Sequence, residues 1–168
     1  SLPSSNGCYS SVAFTSHTIE FGPDGNLWVG VGNACTIPWG GNNYNGVSMI
    51  QKYSTGGSLI SSFGSFGEDI SLTVDGVHYS DTADNGEFGQ RGPSAITFDG
   101  GYLFAADNRN DNIQKFTLDG SFVEAYNLVI PSMQGFQLAA YNGNFYFISS
   151  NGASIYTAST LDTLASDT

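Results

Sequence analysis

The stretch that decides the fold is Ser94-Ala-Ile-Thr-Phe-Asp-Gly-Gly-Tyr-Leu-Phe-Ala-Ala-Asp107, followed by Asn112-Ile-Gln-Lys-Phe-Thr-Leu-Asp-Gly-Ser-Phe-Val-Glu-Ala-Tyr126. It holds four short runs rich in β-branched and aromatic residues, split by Gly-Gly and Asp-Gly turn dipeptides. That pattern reads as an antiparallel meander of four strands. The chain writes the unit two more times. An earlier copy runs Thr18-Ile-Glu-Phe-Gly-Pro-Asp-Gly-Asn-Leu-Trp-Val-Gly-Val31, then Met49-Ile-Gln-Lys-Tyr53 and Ser58-Leu-Ile-Ser-Ser-Phe63. A later copy runs Gln137-Leu-Ala-Ala-Tyr-Asn-Gly-Asn-Phe-Tyr-Phe-Ile148, then Ser154-Ile-Tyr-Thr-Ala158.

The spacing holds under a direct check. Leu103 to Phe145 is 42 residues, and Ile113 to Ile155 is again 42. Leu27 to Leu103 is 76 and Ile50 to Ile113 is 63, so the first copy carries 13 extra residues between Val31 and Ile50. A second excess lies between Phe63 and Ser94. A repeat of about forty residues made of short strands is the signature of β-propeller blades. The expected fold is all-β, with three four-stranded antiparallel sheets packed radially as an incomplete ring. The innermost strands fall near 19–21, 95–98 and 138–141, and the next ones outward near 27–31, 103–106 and 145–148. Predicted buried positions are Leu27, Val29, Ile50, Ile96, Leu103, Ala105, Ile113, Phe145, Phe147 and Ile155. One domain spans 1–168: blade one at about 17–66 with an insertion at 32–48, an insertion hairpin within 67–88, blade two at about 89–127 and blade three at about 134–164.

The middle copy resembles NHL-repeat propellers through Phe98-Asp-Gly, Leu103-Phe-Ala-Ala-Asp107 and Ile113-Gln-Lys-Phe116, with Gly86-Glu-Phe-Gly and Pro93 at the blade junction. The third copy has Ser149 where the family has Asp. The resemblance covers residues 17 to 160 and concerns the fold, because this scaffold carries many unrelated activities. It implies that Asp107 and the Asn residues after it hold a strand-to-strand turn.

Composition narrows the function. Four basic residues face fifteen acidic ones, for a net charge of −11. A chain so poor in cations has little to neutralise phosphates, so nucleic acid is not an expected partner. No apolar run approaches the length of a membrane-spanning helix, so membrane insertion is not expected. Low Lys content with abundant Ser, Thr, Gly, Asn and Tyr suits an extracellular or cell-surface protein. The first residues are neither an initiator Met nor a signal peptide, which suggests a processed or truncated product. Cys8 and Cys35 read as one disulfide in that setting, closing a loop of about 27 residues and contributing on the order of 3 kcal/mol. The other reading is two buried thiols.

No catalytic residue set is expected. His17 and His78 lack the Gly-x-Ser-x-Gly elbow that a serine hydrolase needs, and read as ordinary strand residues. The acids Glu68, Asp69, Asp81, Asp84 and Glu87 sit in the second insertion without the alternation of a calcium loop. A propeller hydrolase or lyase would hold a divalent cation such as Ca2+ at its channel; otherwise no cofactor is expected. The first insertion brings Trp39 and Tyr44 together with Asn42 and Asn43. An aromatic face flanked by amides can hold a sugar ring, which makes carbohydrate an alternative ligand.

The incomplete ring is itself a clue. Propellers close with four to eight blades, and three clear repeats leave the outer sides of the first and third sheets without neighbours. The expected partner is therefore protein, either further blades or a second copy of the chain. Tyr9, Val12 and Phe14 before the first blade, and Leu161 and Leu164 after the third, are the apolar residues expected at those ends.

Overall fold

The structure, a computed structural model, describes residues 15–32, 48–66, 70–74, 77–81, 85–89, 92–110, 112–127, 137–141 and 144–148. Among these the regular elements are strands. The first sheet is the meander β1 (Thr15–Phe21), β2 (Leu27–Gly32), β3 (Ser48–Tyr53) and β4 (Leu59–Phe63), each antiparallel to the next. A short strand β5 (Ser65–Phe66) then leads into the second insertion, where β6 (Ile70–Val74) and β7 (Val77–Asp81) pair antiparallel. The chain returns as β8 (Glu87–Phe88), parallel to β5.

The second sheet repeats the first: β9 (Ala95–Asp99), β10 (Tyr102–Asp107), β11 (Asn112–Thr117) and β12 (Phe122–Asn127) in sequential order. A third, described as two strands, is β13 (Gln137–Tyr141) with β14 (Asn144–Ile148). The up-and-down order of both four-stranded sheets is that of propeller blades.

Local chemistry forces the meander. The β1–β2 turn is held by Asp24, whose Oδ1 accepts from the Asn26 N–H at 3.1 Å, with Gly25 at φ +75°. The β11–β12 turn copies it: Asp119 Oδ1 accepts from Ser121 N–H at 3.1 Å beside Gly120 at φ +93°. An Asx side chain followed by a residue free to take positive φ is the chemistry such turns require.

Strand alternation then builds the core. The side of the first sheet bearing Trp28, Ile50 and Phe63 packs on the side of the second bearing Ile96, Leu103, Ala105 and Phe116. Trp28, Ile50, Leu103 and Phe116 are fully buried there, joined by Phe88 from β8. Trp28 stands edge-on to Phe98 with ring centroids 5.5 Å apart and to Phe63 at 6.1 Å. Phe116 meets Phe63 at 5.3 Å, Phe88 at 5.8 Å and Phe122 at 5.9 Å. The edge-to-face pairs among these, Trp28 with Phe63 and Phe98 and Phe116 with Phe122, add about 0.5–1.5 kcal/mol each beyond area burial.

First strands lie side by side across the three sheets. Ile96 N–H donates to Thr18 Oγ1 at 3.3 Å, and Ala140 N–H donates to Thr97 Oγ1 at 3.1 Å. The junction between the first two sheets is similarly tied. Ser48 Oγ donates to the Gly89 carbonyl at 2.7 Å, and Gln114 receives Gly86 N–H while donating to the Glu87 carbonyl.

Two expected core positions need correcting. Ile50, Ile96, Leu103, Ala105 and Ile113 are buried, but Leu27 and Val29 are only partly so. The fully buried residue of β2 is Trp28, on the opposite side of the strand. In the repeat, Leu27 and Val29 match Leu103 and Ala105, whose side of the second sheet is covered by the first. No described sheet covers the matching side of the first sheet, where Ile19, Phe21 and Leu59 are exposed although Val31 and Gln51 on the same side are buried. The side chains of Phe145 and Phe147, and Ile155, lie outside the described residues.

Gly92 sits where the junction is tightest. Its φ is +67°, and a Cβ there would lie 2.4 Å from the Val31 carbonyl oxygen. Gly92→Ala should therefore lower the urea midpoint by the equivalent of about 2 kcal/mol or more, since backbone strain and a backbone clash add. An unchanged midpoint would show that the junction yields easily.

Candidate functional site

Most residues singled out from sequence lie outside the described residues: Cys8 and Cys35, the loop residues Trp39, Asn42, Asn43 and Tyr44, the terminal Tyr9, Val12, Phe14, Leu161 and Leu164, and the acids Glu68, Asp69 and Asp84. His17 falls in β1, and His78 and Asp81 in β7, with only their backbones described. Glu87 is placed at the insertion's return, where its Oε1 accepts from Ser65 Oγ at 3.4 Å. Among the described residues no three His, Cys, Asp or Glu side chains gather as metal ligands.

The Asp107 run holds a turn. Asp107 is fully buried, and its carboxylate accepts four N–H groups: Gly89 N at 2.7 Å, Arg109 N at 2.9 Å, Asn110 N at 3.3 Å and Asn110 Nδ2 at 2.9 Å. It therefore ties the end of β10 both to its own turn and to the junction segment after β8. Burial pushes the carboxyl up to about 6, against the pull of those four donors.

The unexplained surface is elsewhere, on two sheet sides that face no other described sheet. Register places Ile19 and Phe21 of β1 on one side of the first sheet with Leu27 and Val29 of β2 and, further out, Tyr53 and Leu59. Ile19 is 62% exposed, Phe21 66% and Leu59 52%. Their counterparts one repeat on, Ile96 and Phe98, belong to or pack against the core. Soluble chains seldom leave such a contiguous apolar patch open without a use for it. A second contrast points the same way. Gln114 clamps the junction segment that precedes its sheet, whereas the matching Gln51 accepts from Tyr53 OH at 2.7 Å, within its own sheet.

The third sheet shows the complementary side. Ala139 and Tyr146 are paired in register and exposed, with Tyr141 on the same side at 76%. The exposure of Ile19, Phe21, Tyr141 and Tyr146 was not among the expectations from sequence. The signal was the repeat alignment itself, since among the described residues no sheet covers in the first copy the positions that are buried in the second.

No family model matches the chain, and none of the curated proteins matches it. Among solved structures, the chain is similar to a catalytically inactive virginiamycin B lyase from Staphylococcus aureus with quinupristin, at 13% identity and a TM-score of 0.32, over 89% of this chain and 71% of that one.

The buried carboxyl yields a pH prediction. In the unfolded chain Asp107 titrates near 3.8, so between there and about 6 the folded form holds the extra proton. Its contribution to stability is fully present below 3.8 and is lost as pH rises through 6. A carbon-detected carboxyl titration of the folded chain should place its midpoint near 6; a midpoint below 4 would mean that the four donors outweigh burial.

Proposed function

We propose that this chain is a segment of an NHL-like propeller that works as an extracellular interaction module, associating through open blade faces rather than carrying out catalysis. The reading takes the two four-stranded sheets and the pair β13–β14 as successive blades of that propeller. The observation that carries the reading is the contrast between Ile19 and Phe21, exposed on the first sheet, and Ile96 and Phe98, packed into the core one repeat later. Matching positions of matching strands differ in burial, and a neighbouring described sheet covers only the second.

Burial supplies the drive. Covering apolar side chains of that size gains about 1.5–3 kcal/mol each when fully buried. Self-repulsion at a net charge of −11 works against contact between like chains, so an uncharged face is where contact costs least. The Lys-poor, acidic composition supports an extracellular location. Strand edges and blade faces then provide the surface, with further blades or another chain as partner.

The test compares wild type with the double substitution Ile19→Ser and Phe21→Ser, by light scattering and by binding of an environment-sensitive apolar dye. Wild type should either exceed the mass of one chain or bind dye as a single chain, and the double variant should do neither while its second-sheet core unfolds unchanged. A monomeric wild type that binds no more dye than the variant would remove the reading.

A further inference from the structure

We infer that the occupant of the open face of the first sheet is a second copy of this chain, presented head to tail by the exposed side of its third sheet. The inference rests on the interaction-module reading and names its partner.

The chain itself supplies the rule for how its sheets mate. Each sheet has two unlike sides. On one side stand Ile96, Phe98, Leu103 and Ala105 in the second sheet, matched by Ile19, Phe21, Leu27 and Val29 in the first. On the other stand Thr97 and Phe104 in the second sheet, matched by Glu20 and Trp28 in the first and, 42 residues on, by Ala139 and Tyr146 in the third. Within the chain, unlike sides meet twice. The Trp28 side of the first sheet packs on the Phe98 side of the second. The Thr97 side of the second sheet meets the third, where Thr97 Oγ1 accepts from Ala140 N–H and Leu138 is buried.

The sides left over are one of each kind. The first sheet offers Ile19 and Phe21, and the third offers Ala139 and Tyr146, all exposed. Two leftover surfaces that are unlike on one chain, and whose counterparts in the repeat mate inside it, are self-complementary between chains in the head-to-tail sense. They carry no charged side chain at these four positions. The register follows from the internal contacts. Thr97 meets Ala140, so its counterpart Ala139 meets Phe21 of the next copy, the counterpart of Phe98. Trp28 stands edge-on to Phe98, so Tyr146 takes the matching place against Phe21 of the next copy. Repetition of this contact either closes a ring or continues as a filament, according to the rotation per copy.

The experiment uses the full chain. Phe21→Cys and Ala139→Cys variants are prepared separately, mixed, and oxidised mildly, with wild type under the same oxidant setting the background from Cys8 and Cys35. Both substituted positions are exposed, so neither variant loses core packing. The expected result is a covalent species of twice the 17.7 kDa chain mass, strongly enriched in the mixture over either variant alone and over a Phe21→Cys with Ser121→Cys control mixture. Light scattering of wild type at micromolar concentration should give a mass at least twice that of the chain.

A wild type that stays a single chain overturns the inference, as does an assembly in which this pair forms no more cross-link than the control. A single chain that still binds apolar dye at Ile19 and Phe21 keeps the interaction-module reading and removes only the second copy as partner.

Discussion

The aromatic layer between the first two sheets is the constraint on which everything else depends. Trp28 and Phe63 from one sheet meet Phe98 and Phe116 from the other, and Phe88 enters from the junction strand. None of these residues has a full set of neighbours within its own sheet. A four-stranded meander of this size buries one side only when a second sheet covers it, so the sheets are stable as a stack and not as units. The polar ties at the junction orient that stack. Ser48, Gln114 and Asp107 all bind backbone groups of the segment 86–89, which fixes how far the second sheet is rotated from the first.

The same dependence explains why a stack must end somewhere uncomfortable. The two four-stranded sheets carry apolar side chains on both sides, Trp28 opposite Val29 in the first and Leu103 opposite Phe104 in the second. β10 is buried from Leu103 to Asp107 on both of its sides, while β1 leaves Ile19 and Phe21 in solvent. The exposed face is therefore a consequence of the repeat, and its chemistry is inherited from the face that makes the core.

Much of this was legible from sequence, for physical reasons. Turn chemistry at Asp24-Gly25 and Asp119-Gly120 and the period of two in the strands announce four-stranded meanders before any contact is known. The core members Ile50, Ile96, Leu103, Ala105 and Ile113 follow from alternation. The sidedness of β2 did not. Leu27, Val29 and Val31 alternate with Trp28 and two glycines, and alternation alone favours the aliphatic side. Which side is buried depends on which neighbour exists, a tertiary fact that no local pattern carries. For the same reason the exposure of Ile19 and Phe21 on β1 had no local signal, while the terminal residues Tyr9, Phe14 and Leu161 lie outside the described residues. The insertion's return as β8, parallel to β5 and delivering Phe88 to the core, had no local signal beyond the resemblance at Gly86-Glu-Phe-Gly.

The central claim is that a neighbouring sheet, and not the strand itself, decides what each repeat position contributes. It is tested most directly by comparing Ile96→Ala with Ile19→Ala in chemical denaturation, at a dilution where the chain is single. Ile96 is 2% exposed and Ile19 62%, at matching positions of matching strands. The account predicts a loss of about 2–5 kcal/mol for Ile96→Ala and within about 0.5 kcal/mol of wild type for Ile19→Ala. Equal losses at the two positions would contradict it.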